Sequence, residues 1–292
     1  MRWTHKATRN VARLLRRQGF PVSHTTVARL LRQSGYSLRT NRKTLARVHD
    51  PDRDRQFRLI ARQRQRFLRQ GWPVLSVDTK KKELVGNFKN AGACWRTAAL
   101  PVLDHDFPSA SLGRAIPFGI YDQGYDSGYV VVGTSRETAA FAIAALRQWW
   151  RTYGRWRYPA AARLLIEADC GGANGNRSWA WKVGLQRLAD EYGLTITVAH
   201  YPPGASKWNR IEHRLFNRIS RNWAGQPLVS YETVLNFIRT TRLASGFSCG
   251  VYLDTTDYPV KVVVPEEKRA QVRLRVHRAL PKWNYTIRPR PK

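Results

Sequence analysis

Acidic residues are scarce in this chain. Among 292 residues, 20 Asp and Glu stand against 51 Lys and Arg, a formal net charge of +31. A surface with that imbalance attracts polyanions and stays on them at moderate salt, which points to nucleic acid. Solubility alone is served by mixed charges; a basic segment lying on a membrane is the other alternative. Cysteine is nearly absent too. Cys94, Cys170 and Cys249 lie far apart and form no C-x-x-C pair, which argues against a zinc ribbon or a dithiol redox centre. Scattered thiols fit a reducing cytosol. No apolar run approaches the ~20 residues of a membrane-spanning helix. The opening MRWTHKATRN lacks the apolar stretch of a secretory signal. A cytoplasmic protein without a membrane partner is therefore expected.

What is present is unevenly distributed. Residues 1–70 hold 19 Lys and Arg against 3 Asp and Glu, about half the excess charge in a quarter of the chain. Residues 8–18 (TRNVARLLRRQ) carry Val11, Leu14 and Leu15 at helical spacing. Gly19 to Val22 reads as a turn, Ser23 as the cap of a second helix over 24–33, and Gly35 as its end. Two short helices around a tight turn read as a helix-turn-helix, whose second helix meets the major groove with its N-terminal residues. Here those are His24, Thr25, Thr26 and Arg29. An ordinary helical hairpin without a DNA code is the plainer alternative. The expected organisation is a helix-turn-helix region over 1–48 and a basic helical linker over 49–72. A catalytic domain over 73–264 and a basic tail over 265–292 follow.

From residue 73 on, strands are expected at 74–77, 115–121, 129–133, 163–168 and 194–199. Helices are expected at 138–153, 178–192, 206–223 and 231–242. Three leading strands followed by alternating helix and strand predict an α/β fold. The order matches a ribonuclease-H-like mixed sheet flanked by helices, preceded by the small all-α region.

Three carboxylates are distributed along this pattern as phosphoryl transfer requires. Asp78 lies inside the strand-like PVLSVDTKKK, Asp169 at the end of LLIEADCGGANG, and Glu212 in the helical pattern of PPGASKWNRIEHRLF. Two divalent ions ~3.5–4 Å apart can activate an attacking oxygen and stabilise the leaving one. Magnesium, with manganese as a substitute, takes oxygen ligands and keeps some waters, so three carboxylates and a phosphate suffice. Each residue also has a plain alternative: a buried ion pair for Asp78, a turn cap for Asp169, a surface ion pair for Glu212. Glu167, two residues before Asp169 on the same strand face, is the rival ligand. Lys80, Lys81 and Lys82 can hold a DNA backbone or simply be solvated. Lys207, Trp208 and Asn209 precede Glu212 and are expected to contact DNA; Trp208 can stack on a base or pack in the core. His200 and His213 read as structural more readily than as proton shuttles.

The segments SVDTKKKELVGNFKNAG (76–92), AIPFGIYD (115–122), RLLIEADCGGANGNR (163–177), LADEYGLTITVAHYPPGASKWNRIEHRLF (188–216) and NWAGQPLVSYE (222–232) resemble DDE transposases of the ISAzo-thirteen insertion-sequence family. The likeness runs from about residue 2 to residue 287; a looser one is to the Tc/mariner group. The resemblance implies metal-dependent DNA cleavage and strand transfer at the inverted-repeat ends of an insertion sequence. Asp78, Asp169 and Glu212 would then be both catalytic residues and ligands of two Mg2+ ions. Its implied partners are double-stranded DNA, as element ends and target, and further copies of the chain in a dimer or larger assembly on the nucleoid. Two departures stand out. Cys170 replaces an expected glycine, and less helical sequence precedes the helix-turn-helix than in relatives, as in a truncated copy. Two other readings stay open: a catalytically impaired copy that only binds DNA, and a nuclease that cuts without joining.

Overall fold

The computed structural model describes residues 4, 6–39, 50–104, 107–205 and 208–291. Lys207 and Asp106, both singled out from the sequence (Asp106 as a turn former), lie outside the described residues. The chain divides into two compact units, Met1–Ala46 and Arg47–Lys292.

In the first unit, α1 (Thr8–Arg17) and α2 (His24–Gln33) form as the spacing predicts. Ser23 caps α2: its Oγ accepts the Thr26 backbone N–H at 3.0 Å, satisfying one of the orphan donors of a helix start. Ala12 and Val27 are the buried residues of the two helices.

The second unit begins with α3 (Arg53–Arg69), followed by β1 (Val74–Thr79), β2 (Glu83–Val85), β3 (Gly113–Asp122) and β4 (Ser127–Gly133). Next come α4 (Ala139–Trp149), a π-helical turn (Trp150–Gly154), the one-turn α5 (Arg155–Arg157), β5 (Arg163–Ala168), α6 (Trp179–Tyr192) and β6 (Thr195–His200). A second π-helical turn (Glu212–Phe216) leads into α7 (Asn217–Asn222) and then α8 (Tyr231–Thr240). The chain closes with β7 (Gly250–Asp254), α9 (Glu266–Ala270), β8 (Leu274–Val276) and β9 (Asn284–Ile287).

The strands form one sheet in the order β7-β4-β3-β1-β5-β6-β9-β8, with β2 paired to β3. β1, β3 and β4 are antiparallel neighbours, whereas β5 runs parallel to β1 and β6 parallel to β5. This is the ribonuclease-H-like arrangement. Side chains alternate between the faces with the period of two that a strand imposes. Leu75, Val77, Phe118, Ile120, Ile166 and Val198 pack under Phe141, Leu146, Trp181 and Leu185 of α4 and α6. On the other face, Tyr121, Val130 and Val132 meet Ile211, Leu215, Phe216 and Ile219, while Val74, Leu165 and Ala199 meet Ile60 and Phe67 of α3.

Five segments differ from the sequence reading. Residues 265–292, read as a tail, supply two strands at the edge of the sheet. The short strands lack strong periodicity; β9 is revealed by pairing with β6, and β8 by pairing with β9. The basic helix α3, read as a linker, is packed into the second unit. Gln56 is fully buried and bonds to the His200 carbonyl and Asn284, and Arg64 makes a two-pronged contact with Glu167 at 2.8 Å. β7 and β2 were not foreseen. The helix expected from residue 206 takes a π-helical form over Glu212–Phe216; an insertion of this kind recurs at functional positions.

Candidate active site

Asp78 and Asp169 come together through strand register. In the parallel pair β1/β5 the last matched residues are Val77 and Ala168, so the next residue on each strand is one of the two aspartates. Neighbouring strands lie ~4.8 Å apart, which sets the carboxylates side by side at the C-terminal edge of the sheet. Glu212 opens the π-helical turn that lies on the same face as Val74 and Ser76.

That turn is held down by a closed set of hydrogen bonds. The Ser76 hydroxyl donates to Asn209 Oδ1 and accepts the Ile211 N–H at 3.1 Å. The Asn209 amide donates to the Val77 carbonyl at 3.2 Å and to Asp169 Oδ1 at 3.4 Å. Buried Ser76 and Asn209 thus tie β1, Asp169 and the segment before Glu212 into one unit. Two glycines make room for it. Gly119, cross-strand from Asp78, would with a Cβ collide with Phe216 and come within 2.8 Å of Ile211 Cδ1. A Cβ at Gly128 would lie 2.6 Å from Leu215 Cδ1. Glycine inside a strand marks such close approach.

The electrostatics follow from crowding three acids in a half-buried place. Burial, then the charge of Asp169, pushes the Asp78 carboxyl up to about 8; Glu212 and Glu137 add to the rise and the Thr79 N–H opposes it. Burial raises Asp169 to about 6, with the Asn209 hydrogen bond pulling down and Glu212 pushing up. Burial also raises Glu212, against the attraction of Lys80 and His213. Acids that destabilise one another's charge favour a cation among them. Among the described residues no three Asp, Glu, His or Cys side chains are already gathered into a metal cage. The donor chemistry nonetheless fits a hard divalent ion: carboxylate oxygens throughout, no thiolate, and excess negative charge.

Glu167, the rival ligand, is fully buried and fully engaged elsewhere. Besides Arg64 it accepts from Gln123 Nε2 and the Tyr201 hydroxyl, both at 2.9 Å. Its carboxylate is the anchor of α3.

The remaining residues singled out from sequence divide clearly. His24, Thr25 and Arg29 are exposed and Thr26 half-buried, all on α2 of the first unit. Lys81 is exposed, whereas Lys80 is buried, ion-paired to Glu83 at 2.8 Å and stacked 4.5 Å over Trp223. Lys80 is therefore not a free backbone contact; it lines, with Glu212, Asn90, Asn217 and Trp223, a cleft of about 670 Å³. Lys82 pairs with Glu137 at 2.9 Å. Asn209 is wholly buried and cannot reach DNA directly. Trp208 is 41% exposed, with the Arg53 guanidinium 4.4 Å over its ring. His200 is buried and pushed down to about 4, first by burial. Cys170 donates its S–H to the Tyr201 carbonyl at 3.0 Å, and burial lifts its thiol to about 12. It is a packed, protonated thiol beside Asp169. Sequence reasoning missed Ser76 and Gly119; the glycine inside an apolar strand was the available signal.

The fold defines the class: a ribonuclease-H-like sheet with two aspartates at adjacent strand ends. Over residues 1–289 the chain matches the family described as Rhodopirellula transposase DDE domain, and it belongs to that family. This is the family its sequence resembles. No curated protein sequence matches it. Among solved structures it is similar to the Mos1 transposase paired-end complex with left transposon end (17% identity, TM-score 0.49, 80% of this chain and 65% of that one). It is also similar to a pre-cleavage Mos1 transpososome (16% identity, TM-score 0.48, covering 80% and 65%). A third is the HTLV-2 integrase catalytic core domain in complex with magnesium (13% identity, TM-score 0.30, covering 56% and 94%). The matched part thus spans 65% of the Mos1 chain, under two thirds of its length. No helix among the described residues is long and apolar enough to cross a membrane.

Proposed function

We propose that the protein is a transposase that cleaves DNA at the inverted-repeat ends of an insertion sequence and joins the freed 3′ end to target DNA. Asp78, Asp169 and Glu212 are its catalytic residues and the ligands of two Mg2+ or Mn2+ ions. The observation that carries this reading is the β1/β5 register, which sets Asp78 and Asp169 side by side at the strand ends, with Glu212 on a turn tied to the same strand by Ser76 and Asn209. Such a site is costly when empty and is relieved by divalent charge. When bound, the metal supplies Lewis-acid polarisation of the phosphate and an ionised attacking oxygen near neutral pH.

The chain's own residues do the rest. Asp78 and Asp169 present oxygen donors from a rigid sheet, and Glu212 presents one from a turn pinned by Ser76 and Asn209. That preorganisation limits reorganisation during in-line displacement. Lys80, close enough to pull on Glu212, orients that carboxylate toward the cleft. The basic surface holds the phosphate backbone, with α2 reading the element end through His24, Thr25, Thr26 and Arg29, and with Lys81, Lys207 and Trp208 as further DNA contacts. Self-association on paired ends belongs to the same proposal.

The test is incubation of the protein with labelled DNA carrying the flanking inverted repeats, in Mg2+ or Mn2+, beside Asp169→Ala. Nicked and joined products from the wild type alone support the proposal. Nicks without joining favour a nuclease, and salt-sensitive binding without products favours a DNA-binding copy.

A further inference from the structure

His200 stands one strand away from Asp169 and is bonded on every side. Its backbone N–H donates to the Trp283 carbonyl at 2.9 Å and its carbonyl accepts from Gln56 at 2.8 Å. Its ring joins a buried chain of three side chains. Trp181 Nε1 lies 3.0 Å from the Tyr285 hydroxyl, that hydroxyl 3.1 Å from His200 Nε2, and His200 Nδ1 2.8 Å from the carbonyl of Asp169.

The direction of each bond follows from what each atom can do. The carbonyl of Asp169 only accepts, so the His200 ring carries its proton on Nδ1. In the neutral ring Nε2 is then the acceptor and takes the Tyr285 hydroxyl proton. The Tyr285 oxygen in turn accepts the Trp181 indole N–H, which only donates. The β5/β6 ladder ends at the pair Ala168 and His200. Past that point the Asp169 carbonyl has no strand partner, and the His200 side chain takes the place of one.

We propose that His200, with its tautomer fixed by Tyr285 and Trp181, is the positioning residue that holds the backbone of Asp169 so that its carboxylate faces Asp78. The relay rests on Asp169 being a metal ligand, as proposed above. It gives the C-terminal strand β9, read from the sequence as part of a basic tail, a function: it carries the hydroxyl that sets the histidine. Outer partners of this kind orient ligands, and their loss weakens metal binding by roughly 10- to 100-fold.

The test uses the full chain without DNA. Nitrogen-15 spectra of histidine-labelled protein at neutral pH, without metal, are expected to show His200 protonated at Nδ1. Mn2+ affinity, measured by electron paramagnetic resonance of the free ion, is expected to fall roughly tenfold in His200→Leu. In His200→Asn, whose amide nitrogen reaches the place of Nδ1, it should return to within about threefold of wild type. Thermal midpoints are compared throughout, and if His200→Leu does not fold, Tyr285→Phe replaces it, with weaker Mn2+ affinity expected and an unchanged affinity overturning the proposal. A wild-type ring protonated at Nε2, a folded His200→Leu with unchanged Mn2+ affinity, or a folded His200→Asn no better than His200→Leu would each overturn the proposal. Wild-type protein that binds no Mn2+ overturns instead the reading of Asp169 as a ligand, while the tautomer still reports on the relay.

Discussion

Raising the pH is the simplest perturbation of the acidic centre. Asp78 holds its proton up to about 8 in the folded chain, whereas an unfolded aspartate is ionised above ~4. At pH 6.5 the folded chain therefore carries close to one more proton than the unfolded one, falling to about half a proton at pH 8. Stability falls with pH wherever the native state binds more protons, by ~1.4 kcal/mol per pH unit for one proton. Over this window the loss is ~2 kcal/mol, or roughly 4–8 °C in melting temperature for a domain of this size. The window is chosen to isolate Asp78. Asp169, at about 6, is largely ionised by its start. His200, pushed down to about 4, stays neutral across it in the folded state; its own effect has the opposite sign and ends as an unfolded histidine loses its proton near ~6.5. The assay is thermal and urea unfolding of metal-free protein at pH 6.5, 7.2 and 8, beside Asp78→Asn. Wild type is expected to lose stability across the series, Asp78→Asn to stay flat, and Mg2+ or Mn2+ to restore wild type at pH 8. Wild-type stability that is level or rises, or an equal fall in Asp78→Asn, would refute the reasoning.

Three further predictions test how the site is held. Gly119→Ala should cost ~1–3 kcal/mol through overpacking against Phe216 and Ile211 and slow DNA nicking; Phe216→Leu in the same chain should recover part of both, read by urea unfolding and a nicking assay. Glu167→Gln should cost about 3 kcal/mol by leaving Arg64 without its counter-charge, yet the folded fraction should nick DNA at nearly the wild-type rate. A complete loss of activity in folded Glu167→Gln would instead make it a ligand. Asn209→Ala should cost ~1–3 kcal/mol for the partners left unmatched and lift Asp169 further above about 6, since the hydrogen bond it removes lowers that carboxyl. The acid limb of the nicking profile would then move to higher pH, and an unmoved limb would count against the Asn209 contact.

What could be read from the sequence was whatever a local pattern encodes. The two short helices, the Ser23 cap, and the strands Arg163–Ala168 and Gly113–Asp122 carry their own periodicity and punctuation. The order of these elements conveys the ribonuclease-H-like sheet. Asp78 and Asp169 stand out because a carboxylate at the end of an apolar strand is expensive unless it has a task. What stayed hidden depends on contacts between distant residues. Strands β8 and β9 have too few residues for a pattern and exist because β6 offers an edge. The burial of Lys80 depends on Trp223, far along the chain, as well as on its near neighbour Glu83. Glu167 and Asp169 look alike in sequence; Arg64, roughly a hundred residues upstream (103 in the chain), separates their roles. Asn209 looked like a DNA contact from its motif and is a buried tie between β1 and the Glu212 turn.

The most direct test of the central claim is an anomalous-scattering map from crystals of the protein grown with Mn2+ and element-end DNA. The account predicts Mn2+ held by Asp78, Asp169 and Glu212. Ordered Asp78, Asp169 and Glu212 with no Mn2+ among them, and Mn2+ bound at other acidic residues instead, would contradict it.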